Sequence, residues 1–137
     1  MKPRITVLTI GVNDLKKSLK FYRDGLGLKT KGIVGEELEN GAIVFFDLHR
    51  GIRFALYPRK SLAVDATIAP SAPSPTEFSI GHNVNSKKEV DRVIAQAKKA
   101  GAKIIKSAQN TLWGGYSDIF RTLMGISWKS PGILNGK

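Results

Sequence analysis

The chain is predicted to be an α+β protein of two tandem βαβββ modules, forming a curved mixed sheet around a cleft. Three observations predict that class. A β-rich run is followed by an amphipathic helical segment and three short strand candidates, and the same order returns later in the chain. Val12-Asn13 and Val84-Asn85 mark the same point in each copy, at an offset of 72 residues. Between the copies, DATIAPSAPSPTE places Pro70, Pro73 and Pro75 close together, which opposes both helix interior and central strand.

Each element follows from local chemistry. Residues 4–12, RITVLTIGV, are β-branched and aliphatic, as a buried strand requires. Asn13 or Asp14 supplies an N-cap, and Leu15, Leu19, Tyr22 and Leu26 then recur at helical spacing until Gly25 and Gly27 stop the helix. Strands are expected at about 28–35, 41–48 and 51–58, the last two joined by a tight His49-Arg50-Gly51 turn. After the prolines, FSIGHNV restarts the plan. Ser86 and Glu89 form a capping box, Val90, Val93, Ile94 and Ala97 form the buried stripe of a second helix, and Gly101 ends it. Strands follow at about 103–107, 115–121 and 125–130. The expected organisation is one domain over residues 1–137, with a first module at 1–60, a Pro-rich connector at 61–75 and a second module at 76–130.

Composition narrows the chemistry. There is no cysteine, so disulfides, thiolate metal sites and a cysteine nucleophile are excluded. No apolar run reaches membrane-spanning length and no signal-peptide pattern opens the chain, so a soluble, cytoplasmic protein without a membrane partner is expected. The formal net charge is +11. Much of it sits on the polar faces of the two helices, at Lys16, Lys17, Lys20 and Arg23 and again at Lys87, Lys88, Arg92, Lys98 and Lys99. With no ribonucleoprotein, zinc-knuckle or helix-turn-helix pattern beside it, this charge does not point to nucleic acid. His49 is expected in an exposed turn, and His82, alternating with Ile80 and Val84, on the helix-covered face.

Two stretches carry a family resemblance. V-N-D-L-K-K-S-L-K-F-Y-R-D-G-L-G-L in the first half resembles V-x-D-x-x-x-S-x-x-F-Y-x-x-x-L-G, and W-G-G-Y-S-D-I-F running into G-I-S-W-K resembles W-G-x-x-x-x-x-F-x-D-P-D-G-x-x-W-E in frame. Over essentially its whole length the chain looks like the vicinal oxygen chelate superfamily of glyoxalases, bleomycin- and fosfomycin-resistance proteins and extradiol dioxygenases. The resemblance implies four metal-ligand positions, and these fall on Val7, Ala55, Ser79 and Lys129. None is a good donor, and an ammonium repels a cation. Neither a metal nor another cofactor is therefore expected. The resemblance also implies a homodimer.

If that frame holds, Val7, Thr9, Gly11, Arg53, Ala55 and Tyr57 face the cleft between the modules, with Ser79, Gly81, Asn83, Ser127 and Lys129 from the second half. Two inward cations need acidic neighbours, for which Asp47 and Asp118 are the candidates, or an anionic ligand. The expected ligand is a small organic anion with a planar or aromatic part. Its site would comprise Arg53, Tyr57, Thr9, Ser79, Asn83 and Lys129, with Trp113, Tyr116 and Phe120 as stacking faces. The other expectation is an enzyme of the family type, either a metal-dependent lyase, isomerase or dioxygenase or a metal-free catalyst using Lys129.

Overall fold

The computed structural model describes residues 1–74, 76–112, 115–122, 126–130 and 132–133. The chain divides into two compact units, Met1–Ser71 and Ala72–Lys137. None of the helices among the described residues is long and apolar enough to cross a membrane.

The first unit holds strand β1 (Val7–Val12), helix α1 (Leu15–Lys20), strands β2 (Thr30–Val34), β3 (Ile43–Asp47) and β4 (Arg53–Pro58), and helix α2 (Arg59–Ala66). The sheet order is β1-β4-β3-β2, with β1 parallel to β4 and the other pairs antiparallel. Asp14 caps α1 by accepting from Lys17 N at 3.0 Å, as the sequence predicts. The helix then widens into a π-helical turn over Phe21–Gly25. That turn lets two adjacent aromatics, Phe21 and Tyr22, both point inward. The Tyr22 ring meets Phe54 edge-on at 5.1 Å and Phe46 at 5.9 Å. With Ile10, Val12, Val44 and Leu56 these rings form the core between helix and sheet.

Two differences from the sequence reading arise here. The first strand begins at Val7, where its pairing with β4 begins, and residues 4–6 lie ahead of that ladder. The connector expected over 61–75 opens instead as the end of helix α2. RKSLAVDA contains neither proline nor glycine, and Ser61 and Ala63 are buried. The helix stops at Thr67, which takes the left-handed conformation at φ 56°.

The second unit holds β5 (Ser79–Gly81), α3 (Lys87–Lys99), β6 (Lys103–Asn110), β7 (Gly115–Arg121), β8 (Ser127–Lys129) and β9 (Gly132–Ile133). Its sheet order is β5-β8-β7-β6, with β5 parallel to β8 and β9 added beside β7. Ser86 caps α3 as expected, its Oγ accepting from Glu89 N at 3.2 Å, but the return bond of the box is displaced by one residue, Glu89 Oε2 accepting from Asn85 N at 2.6 Å. Val90 and Ala97 seat α3 on its sheet.

Strand β9 lies beyond the predicted end of the module. It runs so close to α3 that a Cβ on Gly132 would sit 2.8 Å from Val90 Cγ2. His82 is exposed, contrary to the expected buried face, because β5 ends at Gly81 and the alternation that would have turned it inward ends there too. His49 is exposed in a 3-10 turn, as expected.

Candidate functional site

Register assigns the sheet faces. In the first unit Val7, Thr9 and Gly11 pair with Arg53, Ala55 and Tyr57, and Ala55 and Arg53 pair in turn with Phe45 and Asp47. Directly paired residues share a face, so these side chains lie opposite the aromatic core. Helix α2 covers one end of that face. A Cβ on Gly11 would lie 3.4 Å from Leu62 Cδ2, and Arg59 donates to Gly11 O and to Asn13 Oδ1, each at 3.0 Å. Tyr57 is engaged at the same end, its hydroxyl donating to Asn40 O.

The other end is an open cleft of about 480 Å³ lined by Lys29, Thr30, Lys31, Gly32, Val34, Phe45, Asp47 and Arg53. Arg53 anchors it. Its Nε donates to Asp47 Oδ1 at 3.1 Å, and its guanidinium carbon lies 4.0 Å from the Phe45 ring centroid. Stacking on the ring and pairing at Nε orient the planar group, while the Arg53 side chain stays 45% exposed. Among the described residues its terminal nitrogens make no hydrogen bond, so the fork that suits a carboxylate or phosphate is not consumed. Strand β2 shapes the opposite wall. Thr30 Oγ1 donates to Phe45 O at 2.6 Å and accepts from Gly32 N at 3.1 Å, where the ladder shifts register and Gly32 takes φ 88°. Three cations thus line the cleft against one carboxylate.

In the second unit, Ser79 and Gly81 pair with Ser127 and Lys129, and Lys129 pairs with Ile119. A hollow of about 390 Å³ lies on that face, with Lys106, Gln109, Ser117, Ile119 and Lys129 in its wall. Tyr116, Asp118 and Phe120 alternate to the other face, against α3.

This corrects the expected stacking surface. Phe120 is 1% exposed and stacks on Trp128 with ring centroids 6.3 Å apart. The Tyr116 hydroxyl donates to Asp91 Oδ1 at 2.9 Å, which holds its phenol pKa above the ordinary value, and Lys87 lies over the ring. Both rings belong to the packing between sheet and helix. Trp113 lies outside the described residues.

Of the two acidic neighbours considered, Asp47 pairs with Arg53, but Asp118 is on the opposite face from Lys129. Asp118 is fully buried. Its Oδ1 accepts from Ser130 N at 3.2 Å, and its Oδ2 has no hydrogen-bond partner among the described residues. Burial, with a smaller push from Asp91 and against the hydrogen bond from Ser130, raises its pKa to about 6.

Arg53 therefore lines the first cleft and Lys129 the second hollow. Thr9 is half-buried beside Ala55, while Ser79 and Asn83 are exposed at and beyond β5. Lys29, Thr30, Lys31 and Phe45 are cleft residues that sequence reasoning did not single out. The continuous apolar run Ile43–Phe46, as expected of a strand covered on both faces, is the available signal for Phe45. Val7 and Ala55 share the face of the first sheet away from its aromatic core, where Ala55 is fully buried, and Ser79 and Lys129 share one face of the second sheet. The described residues contain no grouping of three or more His, Asp or Glu able to hold a metal ion.

Residues 4–129 match the sequence model of the Glyoxalase/Bleomycin resistance protein/Dioxygenase superfamily. Solved structures resemble the chain over nearly its whole length. A glyoxalase-related enzyme from Fulvimarina pelagi is 24% identical with a TM-score of 0.81, covering 95% of this chain and 88% of its own. A glyoxalase/bleomycin resistance protein/dioxygenase from Nocardioides is 20% identical with a TM-score of 0.79, covering 100% and 87%. A fosfomycin resistance protein from Listeria monocytogenes, solved with manganese(II) and a dihydroxypropylphosphonic acid, is 18% identical with a TM-score of 0.69, covering 97% and 92%. No curated protein matches the chain.

Proposed function

Since the chain belongs to the Glyoxalase/Bleomycin resistance protein/Dioxygenase superfamily, we propose that it is a member that binds a small organic anion through Arg53 without using the family's metal. The observation that carries this reading is the first unit's cleft. Its guanidinium is fixed by Phe45 and Asp47, and Lys29 and Lys31 leave positive charge in excess over the one carboxylate. A carboxylate or phosphonate would dock against the terminal nitrogens of Arg53. Its planar or apolar part would lie along Phe45 and Val34. The dihydroxypropylphosphonic acid in the Listeria protein's structure, solved there with manganese(II), is a small organic anion of the class proposed.

The donor chemistry does not fit a divalent ion. Val7 and Ala55 offer no donor atom, Ser79 offers a neutral hydroxyl and Lys129 an ammonium, where an ion needs several oxygen or nitrogen donors converging on one point. The function is accordingly binding or sequestration of the anion.

Isothermal titration of the whole chain with benzoate, salicylate and phenylphosphonate tests this. Arg53→Ala should weaken binding by roughly tenfold or more, the scale of a charge-assisted bidentate contact. Equal heats from both proteins would eliminate the clamp.

A further inference from the structure

The outer face of helix α3 carries charge that the reading of Arg53 does not use. Helical spacing sorts it. Lys88, Arg92 and Lys99 fall on one ridge, directly away from Val90 and Ala97, whose side chains are buried against the sheet. All three are exposed, and the exposed Ala95 between them adds neither bulk nor charge. From the sequence alone this is an ordinary solvated face. The structure adds that both carboxylates of the helix are drawn off the ridge: Glu89 accepts from Asn85 N at 2.6 Å, and Asp91 accepts from the Tyr116 hydroxyl at 2.9 Å. Among the described residues none of the ridge cations forms an ion pair. Lys98 and Lys103, exposed at and just beyond the last turn, extend the charge toward β6.

We infer that this ridge is a docking surface for the phosphate backbone of a nucleic-acid duplex, gripped without regard to sequence. From Lys88 to Lys99 the helix rises about 16 Å at roughly 1.5 Å per residue. That length spans about five phosphates of one strand, at roughly 3.4 Å of axis rise each. A straight row of cations on a rigid helix matches a regular row of anions, and each phosphate it neutralises releases condensed counterions. Two other polyanionic partners fit this surface less well. Single strands are held by bases stacked on aromatic rings, and residues 87–106 contain no aromatic residue. A bilayer takes up the apolar face of an amphipathic helix, and that face of α3 is committed to the sheet. The chain has no base-reading motif, so contacts to the backbone carry the binding and its strength rests on charge. The surface belongs to the second unit alone and does not rest on the reading of Arg53.

The test measures fluorescence anisotropy of a labelled DNA duplex of about 20 base pairs, titrated with the whole chain at salt from about 50 to 200 mM. Wild type should bind saturably, and log K should fall with log salt at a slope of about −3, the value for three neutralised phosphates. Replacing the ridge by Lys88→Gln, Arg92→Gln and Lys99→Gln together should weaken binding roughly a hundredfold at 0.1 M salt and flatten the slope. Lys88→Arg with Lys99→Arg, which keeps the charge, should bind as wild type does. Lys16→Gln, Lys17→Gln and Lys20→Gln together remove the same charge from exposed positions of α1 and should bind within about threefold of wild type, since charges outside the contact are screened. Circular dichroism checks that each variant is folded. No saturable binding of the duplex would overturn the inference. Equal losses in the two triple variants would overturn it by assigning the attraction to net charge. Tighter, ridge-dependent binding to a single strand of the same length, or to vesicles containing phosphatidylserine, would overturn it in favour of that partner.

Discussion

Replacing Asp118 by Asn should remove a pH dependence of stability that the wild type shows in mild acid, so that the variant gains on the wild type as the pH rises. In the folded state this carboxyl is fully buried, accepts one hydrogen bond from Ser130 N and has its pKa raised by burial to about 6, well above the ordinary carboxylate value. The native state therefore holds a proton more tightly than the unfolded chain does. Between the two pKa values the folded form carries the extra proton, so stability falls as pH rises. Its favourable contribution is fully present below about pH 4 and is lost once the pH passes about 6. At 1.36 kcal/mol per pKa unit the loss is at most about 3 kcal/mol, of which about 2 kcal/mol falls within the pH range spanned below.

Asn keeps the Oδ1 acceptor for Ser130 and cannot ionise. Its amide places two donors where Oδ2 has no partner among the described residues, a penalty of about 1–3 kcal/mol that does not vary with pH. The decisive quantity is therefore the slope of the difference. Urea denaturation of both proteins at pH 4.5, 5.5, 6.5 and 7.5, about one unit apart to span the titration, should show the variant gaining about 2 kcal/mol on wild type across the series. Other carboxylates titrate alike in both proteins and cancel. Parallel curves would refute the assignment of Asp118 as a buried group with a raised pKa.

Other predictions follow from the same packing. Phe54→Ala, which removes a ring 2% exposed between Tyr22 and Phe46, should cost about 3–5 kcal/mol in urea unfolding. Ser86→Ala should cost about 0.5–2 kcal/mol by breaking the cap on α3, and Ser86→Asp should recover most of it in thermal melts. Gly132→Ala should destabilise the second unit, because its Cβ would meet Val90 and the backbone oxygen of Ser86; hydrogen exchange should show faster opening of α3 and β9. Asp47→Asn should leave stability nearly unchanged, since the pair it forms with Arg53 is exposed, but should tighten anion binding by removing the one carboxylate that lines the cleft among the described residues.

The parts legible in the sequence were those governed by neighbours along the chain. Asp14 and Ser86 announce their helices because a capping side chain bonds to a backbone group three residues on. Asp47 and Arg53 could be paired because a tight turn between two strands sets the register across it. Helix α2 was obscured because the prolines that follow it dominate the reading of that stretch, while its own eight residues carry few large apolar side chains. The facing of β7 was harder still. In GYSDIFR both alternating sets contain apolar and polar members, so alternation alone allows either face. Only pairing of Ile119 with Lys129 decides that Asp118 and Phe120 go into the core. The lysines of β2 were missed for a related reason, since the register shift between Thr30 and Ile33 breaks the alternation that would have placed them.

Backbone amide shifts recorded during titration with phenylphosphonate would test the anion-binding claim most directly. Saturable changes should concentrate on Lys29–Val34, Phe45, Asp47 and Arg53 and should collapse in Arg53→Ala. A ligand that instead moves resonances of α1 or α3, or leaves the Arg53 region unchanged at saturation, would contradict it.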